Sequence, residues 1–169
     1  TSIPGLYQTS RSGVLDARGA FVKVLGEGDS GDESPFVAAE VFWSRSAGGV
    51  FRGLHVQLPP RATRKLVFVV HGVVRDFVVD LRVGSQTYGV VHEVRLDAES
   101  GGLVVPEGCA HGFEVLGAEA VMVYGQEAFH STDVDAGIHY ASVGIELAGD
   151  PIISVRDREL DAHRRVVDA

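Results

Sequence analysis

Residues 50–81 read VFRGLHVQLPPRATRKLVFVVHGVVRDFVVDL, and this stretch decides the fold class. It holds Arg52 and His55 in an Arg-x-x-His group, then Lys65 at the head of an apolar run, then a second apolar run beyond Gly72. Short valine-rich runs broken by glycine predict strands, because β-branched side chains pack well on a pleated surface. An Arg, a His and a Lys set among such runs predict a site built into the wall of a β-barrel.

The same rhythm extends outward on both sides. Residues 65–70, 73–81, 89–96 and 102–105 read as strands, and 113–116 and 120–124 continue them across the turn at Gly117 and Ala118. A strand about every ten residues is the spacing of an all-β sandwich or barrel. Upstream, residues 1–25 read as strand, turn and strand, residues 26–35 as an exposed acidic loop, 36–43 as a strand and 44–49 as a loop. Downstream, the polar residues 128–142 predict a loop or extended segment over the barrel mouth, and 157–167 a short terminal helix. The whole of residues 1–169 reads as one domain, long enough to bury a full core.

Composition narrows the function. Net charge is −8, and Lys and Arg gather only near the end, at Arg156, Arg158, Arg164 and Arg165, so a nucleic-acid surface is not indicated. A local basic pocket for a small phosphorylated ligand remains compatible with that charge. The single Cys109 excludes an internal disulfide and points to a reducing compartment. There is no run of 18 apolar residues and no basic flank with an apolar stretch at the start, so the expectation is a cytoplasmic protein without a membrane span.

The residues that could carry chemistry are few. His55 follows Arg-Gly-Leu and His111 lies in PEGCAHGF, both placed by this reading where strand meets turn. A histidine is the natural general base near neutral pH, and a neighbouring carboxylate fixes its tautomer. A lysine stabilises developing oxyanion charge. His55, Lys65, Tyr124 and Asp157 would together suffice for proton abstraction next to a carbonyl. Spacing alone leaves other roles open. His55 and His111 read equally as structural or metal-ligating, Lys65 as a strand-edge charge, Tyr124 as a core or rim aromatic, and Asp157 as a helix N-cap. His71, His92, His139 and His163 read as surface or loop residues, and Cys109 as a small buried hydrophobe.

Taken together, RGLHVQ, RKLVFVVHGVVRDFVVDLR, GS-x-T-x-G, VPEGCAHGFEVL, VYG and SVRD resemble the dTDP-4-dehydrorhamnose 3,5-epimerases and related deoxysugar epimerases, from about Asp16 to Asp157. The resemblance implies an all-β, cupin-like jelly-roll sandwich, usually a homodimer, with no metal or organic cofactor. It implies a dTDP-4-keto-6-deoxyhexose substrate, epimerised at C3, C5 or both in deoxysugar or antibiotic biosynthesis. It makes His55 the general base, Asp157 its partner, Lys65 the group that steadies the enolate and Tyr124 the proton donor. His111 is then a contact to the sugar or its enolate oxygen, and Arg18 and Arg52 hold the nucleotide diphosphate. Lys23, Gln57, His130, Asp135 and Arg156 are further positions expected to face the substrate.

The chain departs from the family pattern around that set. Lys23 stands where a Glu is usual, Glu40 and Phe42 where a Gln and an Asn are usual, and Gly125, Gln126 and Glu127 replace Lys-(Cys/Thr)-Thr. His130 replaces a Tyr, while an acidic group is kept at Asp135. An unusual sugar or a single-position epimerase is the expectation. Two other readings share the fold. A metal-dependent cupin, like the dTDP-sugar ketoisomerases, places two histidines close together on the first site strand, where this chain has His55, Val56 and Gln57. A non-catalytic sugar-nucleotide binder would have no need of all four of His55, Lys65, Tyr124 and Asp157.

Overall fold

The computed structural model describes residues 1–10, 12–26 and 35–162. In chain order the strands are β1 (Tyr7–Gln8), β2 (Ser12–Asp16), β3 (Gly19–Lys23), β4 (Glu40–Ala47), β5 (Val50–Gln57), β6 (Lys65–His71) and β7 (Val73–Asp80). They continue as β8 (Val91–Asp97), β9 (Gly102–Val105), β10 (Cys109–Val115), β11 (Glu119–Gln126), β12 (Asp135–Gly137) and β13 (Ile152–Ile153). Two 3₁₀ turns, Thr132–Val134 and Tyr140–Val143, and one helical turn, α1 (Val155–Arg158), complete the described elements.

One sheet has the order β1-β9-β6-β11-β4 and the other β12-β5-β10-β7-β8, with β13 added parallel to β5. Successive strands change sheet, β4 to β5, β6 to β7 and β10 to β11, which is the winding of a jelly-roll sandwich. Side chains alternate across each strand. On β10, Cys109, Phe113 and Val115 enter the core between the sheets, where they meet Val67 and Val69 of β6, Val74 and Val78 of β7, and Met122 of β11. Ala110 of β10 points the other way, into a second core with Phe51, Leu54, Val56, Phe77 and Val79, roofed by Ile138 and Ile145. Each fully buried Val, Leu or Phe contributes about 1.5–3 kcal/mol, so these two layers carry the sandwich.

The structure adjusts several sequence expectations. Residues 44–47 belong to β4 instead of a loop, because Ser44 and Ser46 keep the ladder with β11 while their hydroxyls serve other side chains. The stretch 128–142, expected as a loop or extended segment, holds a short extended piece, β12, which pairs with β5 between two 3₁₀ turns. The helix begins earlier than expected, at Val155, and is capped by Ser154, whose side chain accepts from the Asp157 amide. Residues 159–162 are not helical, and 163–167, also expected in that helix, lie outside the described residues, as do most of the expected acidic loop, residues 27–34, and His163. The hairpin β2–β3 forms a sheet of its own with Val14, Leu15 and Phe21 exposed. Among the described residues no helix is long and apolar enough to cross a membrane.

Candidate active site

The site begins with an irregularity in β5. His111 of β10 is the register partner of His55, yet Phe113, two residues on, partners Arg52, three residues back. The extra residue is a β-bulge, which resets the alternation of a strand. It therefore turns Arg52 and His55 to the same side, which an unbroken strand would not do at that spacing. Glycine makes the bulge possible. Gly53 has φ +137°, and a Cβ there would lie 2.6 Å from the Gly112 Cα. The bulged Gly53 amide donates to Asp157 Oδ2 at 3.2 Å.

Both histidines thus lie within strands, not at strand ends as the sequence suggested. Each has a carboxylate partner. His55 Nε2 is 2.8 Å from Asp157 Oδ1, and His111 Nε2 is 2.8 Å from Asp76 Oδ2. Asp157 is third in α1, placed there by the Ser154 cap, and is not itself the cap. Burial works to raise its pKa, but the hydrogen bond and charge of His55, the Gly53 amide and Ser154 outweigh it and hold the carboxyl below its ordinary range. Asp76 is fully buried, and burial raises its pKa against the opposing pull of His111.

A cavity of about 350 Å³ opens above these pairs. Its walls come from both sheets: Arg52, His55 and His111 from one, and Phe42, Ser44, Lys65, Tyr124 and Gln126 from the other. Lys65 opens an interior strand of its sheet and is not an edge charge; burial lowers its pKa, with Asp135 opposing. The Tyr124 hydroxyl is 3.1 Å from Ser44 Oγ, and burial pushes its pKa up to about 12. Arg52 donates through Nε to Ser46 Oγ at 2.9 Å. Gln126 is buried, and its side-chain Oε1 has no hydrogen-bond partner among the described residues.

The cavity mouth is a second network centred on Asp135. It is 2.6 Å from Arg156 Nη2 and 3.3 Å from His130 Nε2, and it accepts from Gln57 Nε2 at 3.0 Å. Burial works against this carboxylate, but Arg156 and His130 hold its pKa low. Glu40 accepts from the His130 amide at 2.7 Å. Gln57, at the position where a metal-binding cupin would carry its second histidine, is committed to Asp135 and to the Ser131 amide. Among the described residues no three His, Cys, Asp or Glu side chains converge to hold a metal ion.

The sequence of this chain matches the family model for dTDP-4-dehydrorhamnose 3,5-epimerase over residues 1–164. The chain belongs to that family. It is 43% identical over 118 residues to the dTDP-4-dehydrorhamnose 3,5-epimerase of Shigella flexneri, a match covering 68% of this chain and 65% of that protein, just under two thirds of the relative's length. Among solved structures it is similar to a 4-keto-6-deoxy sugar epimerase from the novobiocin biosynthetic gene cluster of Streptomyces spheroides. That match has TM-score 0.94 and 31% identity, over 99% of this chain and 87% of the other. The epimerase of Legionella pneumophila, solved with dTDP-4-keto-L-rhamnose, matches with TM-score 0.86 and 32% identity, over 98% and 92% of the two chains. The fold is the cupin-like sandwich of these epimerases.

Of the positions carried over from this epimerase family, His55, Lys65, His111, Tyr124, Asp157, Arg52, His130, Asp135 and Arg156 all line the one cavity. Gln57 stands behind it, through Asp135. Arg18 and Lys23 are not brought to it. They lie on the β2–β3 hairpin, where Arg18 pairs with Asp16 at 2.6 Å. The sequence reading missed Asp76 and Ser44. A signal for Asp76 was present, since it shares the inward face of β7 with Val74 and Val78. Ser44 fell in a stretch read as loop, and its signal was its place at the head of the Ser-x-Ser group formed with Ser46.

Proposed function

We propose that this chain epimerises a dTDP-4-keto-6-deoxyhexose next to its C4 ketone. The observation that carries the reading is a base on one sheet and an acid on the other, facing a shared cavity: His55 with Asp157, and Tyr124. The ketone acidifies the C–H bonds at C3 and C5. His55 takes one of these protons. The C–H electron pair becomes a C=C bond to C4, and the carbonyl π pair moves to the C4 oxygen. Lys65 and His111 donate to that oxygen, where negative charge develops. Tyr124 then gives its proton to the opposite face of the carbanionic carbon as the C4 oxygen's pair re-forms the C=O bond, which leaves the ketone with inverted configuration at that carbon. A hydroxyl whose pKa is pushed up to about 12 holds its proton at neutral pH, as an acid catalyst must. Tyr124 and His55 return to their starting states by proton exchange with water. The chemistry is carried by these side chains and the C4 ketone, so the reading assigns no organic cofactor or metal.

Arg52 supplies a cation for the diphosphate, and the His130–Asp135–Arg156 network lies against the sugar nucleotide at the mouth. The whole of residues 1–169 acts as one domain in this reading. The buried Cys109, its thiol pushed up to about 12 mainly by burial, suits a reducing, cytoplasmic setting. The chain is read as a homodimer. The hairpin and the outer face of β4 expose Leu15, Phe21, Val41 and Trp43, and a second copy would cover such a surface. The diphosphate role of Arg18 and a substrate contact by Lys23 are met if that copy's hairpin reaches the cavity.

The test is incubation with dTDP-4-keto-6-deoxyglucose in deuterium oxide, followed by NMR at C3 and C5. Deuterium entering at either carbon with inversion is the expected result. No deuterium at either carbon, with the nucleotide bound, would leave a binding protein in place of the epimerase.

A further inference from the structure

Phe42 stands where relatives usually carry an Asn, and its neighbour is the acid of the proposed reaction. In the β4–β11 ladder Phe42 is the register partner of Tyr124. The two rings are stacked, with centroids 4.8 Å apart and planes 12° from parallel. On its other side Tyr124 meets the His111 ring edge-on at 6.4 Å and 77°. The hydroxyl is tied to Ser44 at 3.1 Å. The Tyr124 ring is thus held on two sides and at its tip. An asparagine at position 42 could not supply the stacked face, which is an offset contact between two π systems.

A proton donor is sensitive to such support. It works only when its O–H lies along the line to the carbon it protonates, and a displacement of about 1 Å can cost about 100-fold. The enolate has two fates. It can take a proton from Tyr124 and invert, or take one back from His55, whose part-exposed imidazole first trades the abstracted proton for deuterium from solvent, and return to its starting configuration. We propose that Phe42 is a positioning residue: its ring fixes Tyr124 in the orientation that protonates the enolate, and so sets how often abstraction ends in inversion. This rests on the epimerase reading and deepens it.

The experiment compares wild type, Phe42→Asn, Phe42→Leu and Phe42→Tyr with dTDP-4-keto-6-deoxyglucose in deuterium oxide. NMR gives two rates at the same carbon, deuterium entry and formation of the inverted sugar. In Phe42→Asn the ratio of exchange to inversion is expected to rise on the order of tenfold, because abstraction by His55 outlives efficient delivery by Tyr124. Phe42→Leu, which keeps apolar packing without a ring, is expected to raise the ratio also. Phe42→Tyr keeps a stacking ring and should restore the wild-type ratio. A merely structural role would lower both rates together and leave the ratio where it was. That outcome in both Phe42→Asn and Phe42→Leu overturns the proposal while leaving the epimerase reading intact. Absence of exchange in wild type overturns both.

Discussion

Two His–Asp pairs sit side by side on neighbouring strands and have the same geometry, yet the fold treats them differently. His55 and His111 are register partners, and each lies 2.8 Å from its carboxylate. The side chains of His55 and Asp157 are 30% and 5% exposed, those of His111 and Asp76 6% and 0%. Asp157 comes from α1 and also receives the Gly53 amide, whereas Asp76 Oδ1 has no hydrogen-bond partner among the described residues. A carboxylate with several donors is kept ionised, and one sealed among valines is pushed toward its neutral form. In the proposed reaction the pair that opens to the cavity supplies the base, and the more enclosed pair presents His111 as a donor to the C4 oxygen.

Removing each imidazole gives the largest effect and the first way to break this contrast. His55→Ala should slow deuterium entry at C3 and C5 by about 10⁴-fold, the full contribution of a general base. His111→Ala should cost about 10²-fold, as for the loss of one donor to a developing oxyanion. NMR exchange rates for the two variants decide the matter. A larger loss in His111→Ala would exchange the two roles.

Removing each carboxylate separates rate from stability. Asp157→Asn is expected to lower kcat by about 10²-fold through loss of an ionised partner for the base. Its folding should change little, because Asn keeps the shape and an acceptor for the Gly53 amide. Asp76→Asn disturbs a pair buried between the sheets and should destabilise by about 1–3 kcal/mol, with a smaller loss of rate. Urea unfolding beside steady-state kinetics reads both quantities. Equal stability losses in the two variants would mean that burial does not distinguish the pairs.

Much of this arrangement was legible in the sequence, for definite reasons. Valine-rich runs between glycines announced the strands around β6, β7 and β9, and residue type and motif singled out His55, Lys65, Tyr124 and Asp157, which the fold brings to one cavity. What sequence could not show was register. The bulge at Gly53 brings Arg52 and His55 to one side, yet only the mismatch with β10 reveals it. β12 and β13 are three and two residues long, too short to carry any alternation. Asp76 was passed over although it alternates with Val74 and Val78 on the inward face of β7. The Phe42–Tyr124 stack depends on cross-strand pairing between segments some 80 positions apart, as for Ser44 and Tyr124, so the substitution at position 42 was visible while its partner was not.

The smallest effect is the one that tests the electrostatic side of the contrast. The Asp157 pKa is lowered from 3.8 in the folded chain, so its contribution to stability is present above pH 3.8 and is lost as pH falls through the folded value. The Asp76 pKa is raised from 3.8, so its contribution is fully present below pH 3.8 and is lost as pH rises through the folded value. The two Asn variants should therefore diverge from wild type in opposite senses. The stability deficit of Asp157→Asn should shrink as pH falls below 3.8. That of Asp76→Asn should be greatest in acid and shrink as pH rises above 3.8. Urea midpoints measured across this range would give two slopes. Slopes of opposite sign uphold one ionised and one suppressed carboxylate, while slopes of the same sign would mean that both aspartates sit in equivalent surroundings despite their unequal burial.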